Sequence, residues 1–327
     1  MSEFDDYVLT GYRFEETPSA APEIGLSAGR SAQSDTASSD ATIPPRVDLR
    51  KYCSEIEDQK RTSSCVANAV VGALELLQAR QGHPRRDLSR LFVYFNSRRL
   101  HSAEIKDEGT YVHTAMAALI AHGVCEEKLW PLSELTVNDP PTQACYENAQ
   151  HYGGIEFARM KASVPIEYVL AEGIPVVIGV TLPRECYTEA HKTGVMPLPE
   201  NVQQSGEPFR HSGHAMCVVG YDLESKHYIM RNSWGCRYAK DGYFMMPFAI
   251  MDKHSEPERN WAIGGLTEAP GLELLGRTVK ESVEGMVSAA VSPRVADTSG
   301  LRQGVQGEFE TRLDKAKKGF RSRLRGN

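Results

Sequence analysis

No run of about 18 apolar residues occurs anywhere in the 327-residue chain, so the sequence offers no membrane-spanning helix. Met1-Ser2-Glu3-Phe4-Asp5-Asp6 is acidic and leads into no apolar h-region. A Sec signal peptide is therefore not expected, and the default location is cytoplasmic, with export as an effector left open. Positive charge is not in excess either: 37 Lys and Arg against 43 Asp and Glu leave a net charge of −6. Nothing in that balance suggests a general nucleic-acid binder, and no nucleic-acid partner is expected. What remains is an ordinary globular make-up, 41% hydrophobic and 24% charged, long enough for one large core or two modest ones.

One stretch organises the chain. After Ser63-Ser64, residues Val66, Ala69, Val70, Ala73, Leu76 and Leu77 recur at spacings of three and four, which predicts a helix over 65–80 with one apolar face. Ser63 and Ser64 are good N-cap residues whose hydroxyls can accept an orphan backbone N–H. Cys65 then sits in the first helical turn, where the macrodipole favours thiolate over thiol. A lone Cys in such a place is usually a small buried hydrophobe. The residues downstream change that reading.

Ser212-Gly213-His214-Ala215-Met216-Cys217-Val218-Val219-Gly220-Tyr221 and His227-Tyr228-Ile229-Met230-Arg231-Asn232-Ser233-Trp234-Gly235 both have strand composition, and Asp222-Leu223-Glu224-Ser225 between them is a turn signal. Paired as a hairpin, they put His214 opposite Asn232 or Ser233, within an error of one or two positions. An imidazole thus meets a side-chain amide without help from the rest of the fold. A helix-start Cys, a His and an Asn that orients the His make an acyl-transfer triad.

With these residues in view, the chain resembles the papain family of cysteine peptidases. Gln59 lies six residues before Cys65, as the family's oxyanion-hole glutamine precedes its nucleophile. Gly213-His214-Ala215 followed by Val219-Gly220-Tyr221 looks like the family's His segment, and Asn232-Ser233-Trp234-Gly235 followed by Asp241-Gly242-Tyr243 looks like its Asn segment. The order Cys, His, Asn and the separation of about 150 residues also fit. The resemblance implies an α+β fold of two lobes, helical on the left and antiparallel β on the right, with the active site in the cleft between them. It implies catalytic Cys65, His214, Asn232 and Gln59, a substrate-binding role for Gly109, Gly213 and Trp234, a peptide or protein substrate, and no cofactor. Thr62 stands where a disulfide cysteine is usual, Lys106 stands at its partner's place, and Val66 replaces an aromatic. These departures mark a divergent, bacterial-type branch without the long propeptide, and its seven cysteines are expected to be reduced.

The same reading divides the chain into three parts. Residues 1–45 are an N-terminal flexible or docking segment: a Ser/Ala/Asp/Pro-rich run reads as linker, while residues 7–12 can dock onto the body or into the cleft and limit access. Residues 46–267 form the peptidase domain, with helices at 65–80, 88–101 and 110–122, a buried strand at 174–180, loops over 184–210 and a buried Cys236. Residues 268–327 form a C-terminal tail. Its 272–291 stretch reads as a helix, and Phe309, Leu313, Ala316, Phe320 and Leu324 mark a basic amphipathic helix suited to an anionic membrane surface or a protein partner.

A metal site is weighed and set aside. His211, His214 and Cys217 have ligand-like spacing, but on a strand 211 and 214 face opposite ways, as do 214 and 217, and no fourth ligand is near. Three function classes remain: hydrolysis of peptide bonds through a thioester, isopeptide cleavage or another acyl transfer on the same triad, and a binding module with a blocked site.

Overall fold

The structure is a computed structural model that describes residues 8–13, 23–26, 43–151, 156–202, 213–255, 259–264 and 272–275. Seven α-helices stand among them, and three pack together as the left lobe: α1 (Cys65–Arg80), α2 (Arg90–His101) and α3 (Val112–His122). Helix α1 departs from a one-faced pattern. Its buried residues run from Cys65 through Ala73 and on to Glu75, Leu76 and Leu77, all round the helix. The cause is its position, since it packs against α2 and α3 on one side and the sheet on the other. Ser64 is the N-cap by position, but its hydroxyl makes no cap bond; it pairs with Thr62 Oγ1 and accepts from Asn68 Nδ2 instead. Side-chain capping is found one helix later, where Ser89 Oγ accepts from Phe92 N at 3.0 Å.

The right lobe is a mixed sheet. Strands β7 (Tyr243–Pro247), β6 (His227–Arg231), β5 (Gly213–Asp222), β4 (Val176–Thr181), β8 (Trp261–Ile263) and β3 (Phe157–Met160) lie side by side in that order, antiparallel throughout. Beyond β3 come β1 (Glu23–Leu26), parallel to it, and β9 (Leu272–Leu275), antiparallel to β1. Strand β2 (Arg46–Asp48) pairs with β5. The 272–291 stretch thus starts as strand rather than helix: β9 completes a sheet edge left open by β1. The basic amphipathic pattern near the C-terminus lies outside the described residues.

Strand β5 is the spine of this lobe. Nine of its ten residues are buried, because β4 and β6 flank it and α1 covers it. The β5–β6 register places Cys217 opposite Arg231 and Val218 opposite Met230, then slips by one residue before Gly220 meets Ile229. Gly220 is needed at that slip: a Cβ there would lie 2.3 Å from the Val47 carbonyl oxygen of β2. The turn that closes the hairpin is fixed by Asp222 Oδ1, which accepts from the backbone N–H groups of Glu224 and Ser225, each at 3.0 Å.

A further expectation fails in this lobe. Within the stretch expected as loop, Arg184–Thr193 is a helix, α6, that buries Cys186, Tyr187 and Ala190 and ends on left-handed Gly194. The described part of residues 1–45 is also more than linker, since β1 joins the sheet and Leu9 and Tyr12 are buried. All seven cysteines are free; Cys236, expected in the interior, is exposed because it follows Gly235 into an open turn.

Candidate active site

The site forms where the N-terminus of α1 meets the β5–β6 hairpin. Cys65 is fully buried, and its Sγ accepts from the backbone N–H of Ala215 at 3.4 Å. His214 is the preceding residue on β5, so a single strand carries both the contact to sulfur and the imidazole. The ring's Nε2–H donates to Asn232 Oδ1 at 2.8 Å, which leaves Nδ1 without a hydrogen-bond partner. Asn232 Oδ1 also accepts from the Ser233 N–H at 2.9 Å, and this second bond holds the carboxamide oxygen toward the ring.

Aromatic rings close this group from behind. Trp234 stacks on the imidazole with centroids 4.6 Å apart and planes at 22°. Tyr187 of α6 sets its edge against both His214 and Trp234, at 5.7 and 5.4 Å. Tyr238 meets the other edge of Trp234 and donates its hydroxyl to the Tyr187 carbonyl at 2.9 Å. Sequence reasoning missed Tyr187 because it read 184–210 as loop. The signal was there: apolar residues at 186, 187 and 190, followed by a glycine at 194, make a short amphipathic helix with its stop.

Gln59 reaches the site through the loop before α1. Its backbone N–H donates to the Ser233 carbonyl at 2.8 Å, and its Oε1 accepts from Ser233 Oγ at 2.6 Å. With Oε1 fixed in this way, Nε2 donates one hydrogen to the Thr62 carbonyl at 2.9 Å and has a second to offer. Asp107 was not singled out from the sequence, yet its Oδ1 accepts from the Ser63 N–H at 2.8 Å and from Tyr94 Oη at 2.7 Å, tying the loop before Cys65 to α2.

Gly109 and Gly213 face each other across the cleft, and residues 8–13 of the same chain lie between them. Tyr12 pairs in parallel with Thr110 and antiparallel with Gly213. Tyr12 N–H donates to the Gly213 carbonyl at 3.0 Å, Thr110 N–H to the Gly11 carbonyl at 3.0 Å, and Arg13 N–H to the Thr110 carbonyl at 3.1 Å. Thr110 therefore makes the backbone bonds on that wall. Gly109 donates its own N–H to Tyr94 Oη at 2.9 Å and contributes by lacking a side chain, since a Cβ there would stand 2.4 Å from the Gly11 oxygen. Gly11 is the residue against the sulfur: a Cβ on it would fall 2.6 Å from Cys65 Sγ and 2.5 Å from the Ser63 oxygen. The Tyr12 ring is buried against Gly179 of β4, where a Cβ would come within 2.1 Å of the ring.

Under this cover burial dominates the electrostatics. It pushes the Cys65 thiol up to about 12, against the pull of the Ala215, Val66 and Cys65 N–H groups. It pushes the His214 imidazole down to about 4, against the Asn232 hydrogen bond. Both shifts favour the neutral thiol and the neutral ring, against the preference for thiolate expected from the helix end. No set of three or more His, Cys, Asp or Glu side chains among the described residues is arranged to hold a metal, and His211 lies outside them. Among the described residues no helix is long and apolar enough to cross a membrane.

Comparison with known proteins bears on this geometry. The family model described as papain family cysteine protease matches residues 43–256. An uncharacterized peptidase C1-like protein of Acanthamoeba polyphaga mimivirus is 31% identical over 251 residues, 70% of this chain and 78% of the viral one. Among solved structures, xylellain, a cysteine protease from Xylella fastidiosa, superimposes with a TM-score of 0.61 at 27% identity, covering 77% of this chain and 99% of its own. Digestive procathepsin L 3 of Tenebrio molitor larval midgut shares the fold at 18% identity, with a TM-score of 0.52 over 72% of this chain and 76% of its own.

Proposed function

Because this chain belongs to the papain family of cysteine proteases, we propose that Cys65, His214, Asn232 and Gln59 are its catalytic apparatus, and that it hydrolyses peptide bonds through a thioester acyl-enzyme. The observation that carries the reading is the β5–β6 edge, where His214 is bonded to Asn232 while the very next residue holds Cys65 Sγ.

With the cleft open to substrate, Cys65 Sγ gives its proton to His214 Nδ1 and attacks the scissile carbonyl carbon. The carbonyl's electron pair moves onto its oxygen, which is met by the Cys65 backbone N–H and the second Nε2 hydrogen of Gln59. As the tetrahedral species collapses, the C–N bond breaks and His214 passes the proton to the leaving amine, giving a free amine and a thioester on Cys65. His214 then takes a proton from water as that water attacks the thioester. The C–S bond breaks, the acid product leaves, and the thiol is restored. Asn232 keeps Nε2 engaged so that Nδ1 remains the working nitrogen throughout. Trp234 and Tyr187 exclude water from that hydrogen bond.

The test is labelling with an epoxysuccinyl reagent together with turnover of short fluorogenic peptides. We expect label on Cys65 alone, and at least a 10³-fold loss of turnover in Cys65→Ala. Labelling of Cys65 with no cleavage of any peptide would move the assignment to isopeptide cleavage or another acyl transfer on the same residues. No labelling after long incubation would leave a blocked binding module.

A further inference from the structure

Three buried polar atoms beside the site make no hydrogen bond within the protein: Asn68 Oδ1, Asn232 Nδ2 and Arg231 Nε. Their residues expose only 3, 3 and 4% of their surface. All three residues line one cavity of about 10 Å³, together with Glu57, Ala69 and Cys217. That volume is what a single water molecule needs, and a buried water is held by two to four polar partners. The other bonds of the two carboxamides settle which end of each is free. Asn68 Nδ2 donates to the Ser64 carbonyl and to Ser64 Oγ, each at 3.0 Å, so the free end is its oxygen. Asn232 Oδ1 accepts from His214 Nε2 and from the Ser233 N–H, so the free end is its nitrogen. The cavity residues thus offer one spare acceptor and two spare donors. One water satisfies all three: it gives a hydrogen to Asn68 Oδ1 and accepts from Asn232 Nδ2 and Arg231 Nε.

We propose that Asn68 is a positioning residue that acts on Asn232 through a water bound in this cavity. The inference rests on the catalytic reading of Asn232. Asn68 lies one turn beyond Cys65 on α1, so the helix that carries the sulfur also holds the carboxamide that orients the imidazole. What the water controls is the tautomer of His214. Turned over, Asn232 would present Nδ2 to the ring, and His214 Nε2 could then only accept. The ring proton would move to Nδ1, the nitrogen that has to be free to take the thiol proton. The Ser233 N–H holds the carboxamide oxygen where it is, and the water, anchored by Asn68, accepts from the nitrogen at the other end.

The test has two arms, both on the full-length chain. A high-resolution crystal structure is expected to show one water within hydrogen-bond distance of Asn68 Oδ1 and Asn232 Nδ2. Well-ordered walls around a cavity without density would overturn the proposal, and this arm decides even where a variant does not fold. In the kinetic arm, Asn68→Ala is expected to lower kcat for fluorogenic peptides about tenfold with KM within about twofold. In an Asn232→Ala background the same change should cost less than about twofold, because the group it acts through is gone. An equal fold loss in both backgrounds would overturn the positioning role, since Asn68 would then act elsewhere, through the Ser64 loop. A kcat that falls in Asn232→Ala but not in Asn68→Ala overturns this proposal alone. Unchanged turnover in Asn232→Ala overturns the catalytic reading of Asn232 itself, and the positioning role with it.

Discussion

The two walls of the cleft are built by different means. In the helical wall the buried loops are held by charge. Arg90 has no exposed surface, and its guanidinium meets Glu75 at 2.6 Å, Asp87 at 2.7 Å and Glu57 at 3.1 Å. Burial alone would lower the Arg90 pKa, but these three carboxylates outweigh it and the net direction is upward. Glu75 Oε1 accepts in turn from Leu88 N–H, and Asp107 holds the Ser63 N–H. In the sheet wall the His214 imidazole is fixed by strand register, one carboxamide and stacked aromatic rings. The difference has a chemical logic. A buried ionic network next to the imidazole would dictate its protonation state, whereas neutral rings leave it free to change. Charge therefore anchors the scaffold, while neutral packing surrounds the group that the proposed reaction requires to gain and lose a proton.

This comparison predicts a division between effects on turnover and effects on stability. Among the residues that join the two walls, the largest effect on turnover belongs to Gln59. Gln59→Ala removes the proposed oxyanion donor and the side-chain bond from Ser233 Oγ, while the backbone bond to the Ser233 carbonyl stays. It should lower kcat/KM by roughly 10²- to 10³-fold, or about 3–4 kcal/mol, with little change in Tm. A fall in Tm with unchanged kcat/KM per folded molecule would place Gln59 with the scaffold instead.

The ionic wall should behave in the opposite way. Glu75→Ala leaves Arg90 and the Leu88 N–H without their main acceptor inside the protein. Breaking such a pair costs about 3–5 kcal/mol, which corresponds to a Tm drop of roughly 10 °C for a domain of this size. The kcat/KM of the fraction that stays folded should hardly move. Thermal unfolding followed alongside active-site titration separates these outcomes.

The smallest effect is a pH dependence at the rim of the helical wall. Burial raises the Glu127 carboxyl to about 7, opposed by the Leu132 N–H on its Oε1. A carboxyl with a raised folded-state pKa binds more protons in the native state, so its contribution to stability is present at acid pH and is lost as pH rises from about 4.5 to about 7. Glu127→Gln should therefore raise Tm by a few degrees at pH 8 and leave it nearly unchanged at pH 4.5. An equal shift at both pH values would show that titration is not the cause.

The legible parts of the chain were those where local pattern and tertiary placement agree. The helix starting at Cys65 runs over the predicted residues, and the Asp222 turn signal placed the β5–β6 hairpin with its register one to two positions from the expected pairing. Charge and composition said nothing of Asp107, Thr110 or Tyr187, because each matters through a partner far away in the chain. Strand β9 read as helix because four residues at a sheet edge carry too little alternation to outweigh the pattern around them. The burial that raises the Cys65 thiol and lowers the His214 imidazole was equally out of reach, since it comes from tertiary packing that no local pattern encodes.

Gly72 has a consequence of its own. It stands in the middle of α1 where a side chain would run into the Arg231 guanidinium, with a Cβ only 1.8 Å from Nη1. Through that gap Arg231, the residue before Asn232, reaches Ser54 Oγ at 2.8 Å, and Ser54 in turn donates to Glu75 at 2.5 Å. A cation from the sheet is thereby threaded past the central helix into the acidic cluster of the other half. Neither half can loosen alone without stranding that cation. The protein should melt in a single calorimetric step, with the cleft retaining its geometry until the whole body gives way.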